Sequence, residues 1–399
     1  MKKHKKNRNV AIIGIGQTSL SSHKEDQNQA EMIYEAVRSA LADAKMTLND
    51  IDCIVHGNME LFEMQFQPDM WHAIGSGAFG KDEYRITTGG TTGATLVCAA
   101  DSLVASGMYE TVLAIGFEKL QEANTTGGIT NMSDPLWFRN LQTGALTGTT
   151  ATDMIDEFGE ERAKRASMKY RIMMDKHAML NPRAHRRLGL EYDQMEDLMK
   201  NSPQLVGELR LIHMCSQSDG ACAMIFTSED SVKKKGTAKP PVWIRDHETS
   251  HREETMSNLF GFKRPKMTHR DCAEKLFKRN GVKDPVEYFD VFEMYDPSSW
   301  WAMDWLREFL LLKDDEHLKL LEAGEFDLDG KCPINPSGGV IASNPIGATA
   351  MLRPAEAAMQ IRGDAGAHQI KKEVRHALAS GFGGTLWTVM IMLEKELNW

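Results

Sequence analysis

Three segments of the 399-residue chain carry residue types suited to proton transfer or oxyanion binding. Thr88-Gly-Gly-Thr-Thr-Gly93 is a glycine elbow between an apolar strand pattern and an apolar helix pattern. Asp290-Val-Phe-Glu-Met-Tyr-Asp296 ends on a phenol beside a carboxylate, and Asn335-Pro-Ser-Gly-Gly339 leads into Ser343-Asn-Pro-Ile-Gly-Ala-Thr349. An elbow of this kind leaves room for a ligand to approach the backbone, and the N–H groups of a helix start face whatever lies there. The same glycines are equally compatible with a plain tight connection. Taken alone, Tyr295 reads as a buried tyrosine with a satisfied hydroxyl. His56, at the end of a short strand, is the histidine candidate for proton transfer, although a lone strand-end histidine is more often structural.

Composition limits the classes of function. With 42% hydrophobic and 26% charged residues the chain has an ordinary globular balance and material for a sizeable core. Lys and Arg total 47 against 56 Asp and Glu, a net charge of −9, which argues against a nucleic-acid partner held by general electrostatics. The basic run Met1 to Asn9 reads as a solvated terminus, because the apolar stretch Val10 to Ile15 is too short for a signal-peptide core and is cut by glycine. No segment approaches the length of a membrane helix. The six cysteines form no Cys-x-x-Cys pair, so neither a disulfide framework nor a metal site is signalled, and a cytoplasmic setting is expected. The 25 methionines read as core filling.

The elements that position these residues follow strand and helix periods. Val10 to Gly16 reads as a buried strand, followed by a helix over Gln29 to Lys45 with Met32, Ile33, Ala36, Val37, Ala40, Leu41 and Ala44 on one face. The Gly14-x-Gly16 step is only a partial dinucleotide fingerprint and is set aside. A short strand over Asp52 to His56 precedes the Met- and Phe-rich stretch Met59 to Trp71, which suits packing or a substrate tunnel. Tyr84 to Thr88 is a strand, Ala94 to Ala105 a helix with Leu96, Val97, Ala100, Leu103 and Val104 inward, and Thr111 to Gly116 a second strand. Residues 120 to 205 look like an insertion over a layered core, after which the strand-helix grammar resumes from Cys215 and again from Val242 to Leu393. That recurrence suggests a duplicated α/β unit.

Four segments, in order, resemble the thiolase superfamily, and more closely its sterol-carrier-protein and lipid-transfer branch, over nearly the whole chain. They are the elbow with Ser106 to Lys119, the Asp290 to Asp296 strand, the Asn335 to Thr349 run, similar to Asn-x-x-Gly-Gly followed by Gly-His-Pro-x-Gly-Ala-Thr, and Ser380-Gly-Phe-Gly-Gly384. The resemblance implies a five-layered α-β-α-β-α sandwich of two similar halves with a loop insertion. It divides the chain into a first part (1–119), a lid (120–205), completion of the first half (206–240) and a second half (241–399).

Aligned on these motifs, the family's nucleophilic cysteine falls on Gly90, the histidine of Gly-His-Pro on Asn344, and the histidine of its His-Asp motif on Tyr295. Glycine cannot form a thioester and an amide is no base near neutral pH. Cys98, eight residues beyond Gly90 on the helix, reads as structural. Glycine at the nucleophile position with Tyr-Asp at the second motif resembles the steroid side-chain aldolases, which cleave 3-hydroxyacyl-CoA thioesters without a covalent acyl-enzyme. Those relatives carry a second tyrosine where this chain has Asn344.

The leading expectation is therefore a retro-aldol lyase for a bulky 3-hydroxyacyl-CoA, with catalytic roles for Tyr295, Asn344 and His56. Donors around Tyr295 are expected to lower its pKa, and Gly90, Asp296, Gly339 and Gly384 to bind substrate, alongside Gly338 and Gly383. His177 and His185 read as structural or surface residues, and Trp300-Trp301 as packing or as a hint of a large acyl group. No cofactor beyond the CoA of the substrate and no metal is expected; the resemblance implies a homodimer and a separate small zinc-ribbon and OB-fold subunit. Two rivals stay open: a thiolase or acyltransferase for a bulky or aromatic 3-oxoacyl-CoA with free CoA, and a non-catalytic acyl-CoA or lipid-binding subunit.

Overall fold

The structure is a computed structural model, with residues 7–60, 62, 69–122, 143–251, 268–383 and 387–397 described. Its strands are β1 Val10–Gln17, β2 Cys53–Gly57, β3 Asp82–Arg85, β4 Thr111–Lys119, β5 Gln204–Val206, β6 Leu209–Arg210, β7 Asp219–Ser228, β8 Val242–Ser250, β9 Val291–Glu293, β10 His376–Gly383 and β11 Trp387–Glu394. The first helices are α1 Gln29–Ala44, α2 Asp69–Ser76 and α3 Thr92–Ser106.

Near-continuous apolar runs such as Val10 to Ile15 and Ala221 to Phe226 predict strands covered on both faces, and β1, β4 and β7 are buried at every residue. Nine strands hydrogen-bond in the order β3-β2-β4-β7-β1-β8-β11-β10-β9. The duplication expected from the sequence is legible in this order. In the first half β2 runs parallel to β4, and β7 and then β1 follow antiparallel; in the second half β9 runs parallel to β10, and β11 and then β8 follow antiparallel. The halves join where β1 pairs with β8 through Ala11 opposite Trp243 and Ile12 opposite Val242.

Two buried helices lie between the halves: α3 and the helix Ile346–Arg362, which is buried from Ile346 to Ile361. They pack on each other, and the longer one contacts both β4 and β10. One hydrophobic cluster spans these helices and the inner faces of both half-sheets. α1 covers the outer face of the first half and the helix His269–Asn280 that of the second. The result is helix, sheet, paired helices, sheet, helix: five layers, as expected. Residues 143–180 form the helices Thr143–Phe158 and Glu160–Leu180 in the segment the sequence assigned to a lid, the latter packed on Ser299–Phe309 and Gly339–Ala342.

Local chemistry explains the helix ends. Asn28 caps α1 by accepting from the Glu31 N–H at 2.9 Å, while the Glu31 carboxylate accepts from the Asn28 N–H at 2.9 Å. Lys45, expected inside the helix, is its left-handed cap at φ 51°. Leu41 and Leu103, both expected inward, are only half-buried, because each stands at the margin of its helix's apolar stripe. Among the described residues no helix is long and apolar enough to cross a membrane.

The two central helices cross at Gly93, where a β-carbon would lie 2.3 Å from the Met351 backbone nitrogen. Helix propensity alone favours alanine over glycine by about 1 kcal/mol. Gly93→Ala is nevertheless expected to destabilise by about 1–3 kcal/mol through overpacking, read as a lower midpoint in urea unfolding.

Candidate active site

Threonines tie the elbow that begins α3. Thr91 Oγ1 donates to the Thr88 carbonyl at 2.6 Å, Thr92 Oγ1 donates to the Gly89 carbonyl at 2.6 Å and accepts from the Thr88 N–H at 3.0 Å. The elbow sits against the end of β10, and the two backbones nearly touch: a β-carbon on Gly383 would lie 2.3 Å from the Gly90 nitrogen. A β-carbon on Gly90 would lie 2.4 Å from the Phe382 carbonyl oxygen and 3.0 Å from Tyr295 Oη. The phenol thus stands over the position from which a nucleophilic side chain would project.

Tyr295 follows β9 and is held by its own N–H, which donates to Ser380 Oγ on β10 at 3.0 Å. Tyr295 Oη makes no hydrogen bond among the described residues. Burial pushes its pKa above the usual phenol range, with Cys215 and Asp296 adding to the rise and Arg353 opposing it. The lowered value expected from the sequence requires donors to the hydroxyl, and the described residues supply none. In the ligand-free site Tyr295 is a neutral phenol.

Asn344 reaches the same region from the other side. Its Nδ2 donates to Cys215 Sγ at 3.3 Å, its Oδ1 accepts from Thr349 Oγ1 at 2.8 Å, and its N–H donates to Ser218 Oγ at 3.0 Å. Among the described residues one amide N–H of Asn344 is left without a partner, since the side chain carries two. Cys215 had no signal in the sequence beyond being a cysteine before β7. It is half-buried, and burial pushes its thiol up to about 11. Glu118, fully buried at the end of β4, accepts from Met59 N–H and, at 2.7 Å, from Gly347 N–H, so it pins the loop that carries Asn344. A carboxylate ending an otherwise apolar strand was its sequence signal.

Two buried carboxylates hold the Asn335–Val340 turn against β9. Glu293 accepts from Ser337 N–H at 3.1 Å and Ser337 Oγ at 2.7 Å, and pairs with Arg353 Nη1 at 2.6 Å. Asp296 accepts from Val340 N–H at 2.6 Å and from the Tyr170 hydroxyl at 2.9 Å. Burial pushes Asp296 up to about 7 despite Arg353 nearby. Gly339, at φ 69°, is required by this contact: a β-carbon there would lie 2.4 Å from Asp296 Oδ1. Gly338 likewise faces Ala178 of the lid helix and Gly383 faces Gly90, so these three glycines admit protein atoms where the sequence suggested substrate. Gly384 lies outside the described residues.

His56 is not brought to this group. Cys53 and Val55 of β2 join the inner cluster with α3, whereas Ile54 joins the outer one, so His56 alternates to the outer face, against His72 of α2. His177 is buried with Nδ1 3.1 Å from the Asn335 carbonyl, and His185 Nδ1 lies 2.9 Å from Ser218 Oγ. Cys98 is buried and neighbours His247 and Asp101. Trp300 and Trp301 are core residues whose indoles donate to His213 Nδ1 and Thr150 Oγ1. Most of Met59 to Trp71 lies outside the described residues, and Trp71 is exposed.

Comparison with known proteins agrees with this fold. A family profile described as "Thiolase C-terminal domain-like" matches residues 253–395. Sterol carrier protein 2 of Oryctolagus cuniculus is 27% identical, over 94% of this chain and 70% of its own length. An acetyl-CoA acetyltransferase of Methanothermobacter thermautotrophicus is 28% identical, over 96% and 98%. A solved structure described as the Ltp2-ChsH2(DUF35) aldolase has the same fold at TM-score 0.80 and 22% identity, covering 98% of both chains. Human mitochondrial 3-ketoacyl-CoA thiolase follows at TM-score 0.72 and 17% identity, over 98% of this chain and 99% of its own.

Because Asp296 holds its proton to about 7 when folded but ionises near 3.8 when unfolded, its contribution to stability is present below the unfolded value and is lost as pH rises through about 7. Asp296→Asn is expected to flatten that fall between pH 4 and 7 by on the order of 1–3 kcal/mol, measured as urea unfolding of the two proteins at pH 5 and pH 7.5. Gly90→Cys, which restores a thiol where no β-carbon fits, is expected to displace Tyr295 and to form no acyl adduct on incubation with acyl-CoA, checked by intact mass.

Proposed function

The chain belongs to the thiolase superfamily, on its sterol-carrier-protein side, and from that premise we propose that it cleaves a carbon–carbon bond of a bulky 3-hydroxyacyl-CoA by a retro-aldol route without a cysteine nucleophile. The observation that carries this reading is the 3.0 Å between Tyr295 Oη and the point where a Gly90 β-carbon would stand. Where an acyl-accepting thiol would be needed there is a proton-exchanging oxygen. The aldolase among the solved structures supports the reading by its shared fold.

In this reaction Tyr295 Oη, as phenolate, takes the proton of the 3-hydroxyl. The O–H electrons form the new carbonyl, the Cα–Cβ bond breaks, and its electrons pass into the thioester enolate. The free Asn344 N–H and nearby backbone donors stabilise the enolate oxygen. The proton held at Tyr295 returns to Cα, releasing an aldehyde or ketone and a shortened acyl-CoA. The thioester makes Cα an acceptable carbanion, so a base and an oxyanion site suffice. A burial-raised phenol is a strong base once ionised but is scarcely ionised at neutral pH. A homodimer in the cytoplasm, with a separate zinc-ribbon and OB-fold partner, belongs to the same proposal; the solved aldolase is a complex of Ltp2 with ChsH2(DUF35).

One observation favours a second reading, an acyltransferase: Cys215 Sγ, 3.3 Å from Asn344 Nδ2, is a thiol in the same group. Its raised pKa works against it, since a nucleophile needs the thiolate.

The test mixes the full chain with 3-hydroxyacyl-CoA and 3-oxoacyl-CoA esters, with and without free CoA, and follows products by mass spectrometry. Cleavage of hydroxy esters without CoA, lowered by about 10²–10⁴-fold in Tyr295→Phe, is expected. Below the Tyr295 pKa the rate should rise about tenfold per pH unit, in step with the phenolate fraction. Cleavage confined to oxo esters and to added CoA, with an adduct on Cys215, would replace the aldolase by the acyltransferase. Silence throughout would favour the binding subunit.

A further inference from the structure

On the outer face of the first half-sheet, away from the elbow, three ligand-bearing side chains from three elements converge. His56 Nε2 of β2 lies 3.2 Å from Glu83 Oε1 of the edge strand β3. The His72 ring of α2 stands edge-on to His56 with centroids 4.3 Å apart, backed by the Phe117 ring at 5.2 Å. One ligand atom from each of the three residues lies within 4.8 Å of the other two. His56 and His72 are 1% and 0% exposed, while the Glu83 side chain is partly open to solvent. His56 Nδ1 makes no hydrogen bond among the described residues. The Arg85 charge is engaged by Glu60.

Two imidazoles and one carboxylate form the donor set of borderline divalent cations, with a fourth position for water. We propose that His56, His72 and Glu83 bind a divalent transition-metal cation of the zinc type. Zinc bonds of about 2.0–2.2 Å place neighbouring ligand atoms about 3.3–3.5 Å apart. The His56–Glu83 pair already stands near that spacing, and His72 closes the set by a shift on the order of 1 Å. The cation ties α2 and the edge strand to β2. Glu83 stands seven residues before Gly90 on the segment that becomes the elbow, so the metal positions the elbow from outside without touching substrate. The sequence carried no sign of this site because its ligands are 16 and 11 residues apart, on a strand, a helix and another strand. The inference is independent of the reaction proposed above.

The experiment titrates Co²⁺ into the chelator-stripped full chain, alone, and reads visible absorption and thermal unfolding. One bound ion per chain, with the d–d bands of a four- or five-coordinate site, displacement by Zn²⁺ and a raised Tm, is expected. His72→Gln and Glu83→Gln are each expected to weaken binding at least about tenfold, while His4→Ala and Cys215→Ala leave it unchanged. X-ray absorption of the zinc-loaded wild type reads imidazole ligands directly, whether or not the variants fold. Absence of one-to-one binding at micromolar Co²⁺, a sulfur-containing ligand shell, or unchanged affinity in a folded His72→Gln/Glu83→Gln double variant would overturn the proposal.

Discussion

Two carboxylates with no access to water, Glu293 and Asp296, hold the second half of the site together. They flank Tyr295 in sequence, and both spend their oxygens on the Asn335–Val340 turn: Glu293 on Ser337 with Arg353 closing the pair, Asp296 on Val340 with Tyr170 donating from the lid. A buried charge pair of this kind adds little net stability over an apolar replacement, yet losing one partner costs about 3–5 kcal/mol, because the other is left uncompensated. That asymmetry makes the arrangement a constraint on geometry. The strand, the turn, the central helix and the lid helix must arrive together, and Tyr295 is placed as a by-product.

The second constraint is steric. Gly90 and Gly383 bring the elbow and the end of β10 into backbone contact, which leaves no volume for a side chain at 90 and fills that volume with the Tyr295 ring and the Phe382 carbonyl. The bare glycine at 90 and the phenol at 295 are therefore two sides of one packing arrangement. A thiolase-type nucleophile and Tyr295 in this position exclude each other.

Much of the fold was legible from period alone. Continuous apolar runs marked the strands covered on both faces, and α1 was visible to within one residue through its apolar stripe. Misplacements fell at stripe margins, as with Leu41 and Leu103, where one helical position decides burial and the sequence does not say how wide the neighbouring groove is. The repeat of parallel, antiparallel and antiparallel pairings in the two halves was only suggested by grammar, because pairing depends on register between distant strands.

For the site, the sequence by itself determined what chemistry is missing and what is present: glycine at 90, amide at 344, phenol and carboxylate at 295 and 296. It also marked the glycine-rich turns as close approaches. Only the tertiary structure decided who approaches whom. Gly338, Gly339 and Gly383 admit Ala178, Asp296 and Gly90, His56 turns to the outer face by strand alternation, and Cys215 and Glu118 arrive beside Asn344 and its loop. It also decided the state of the phenol, since a side chain's pKa is set by the water removed from around it and the charges left beside it. Residue types are local properties, whereas distance, burial and field are sums over the folded chain.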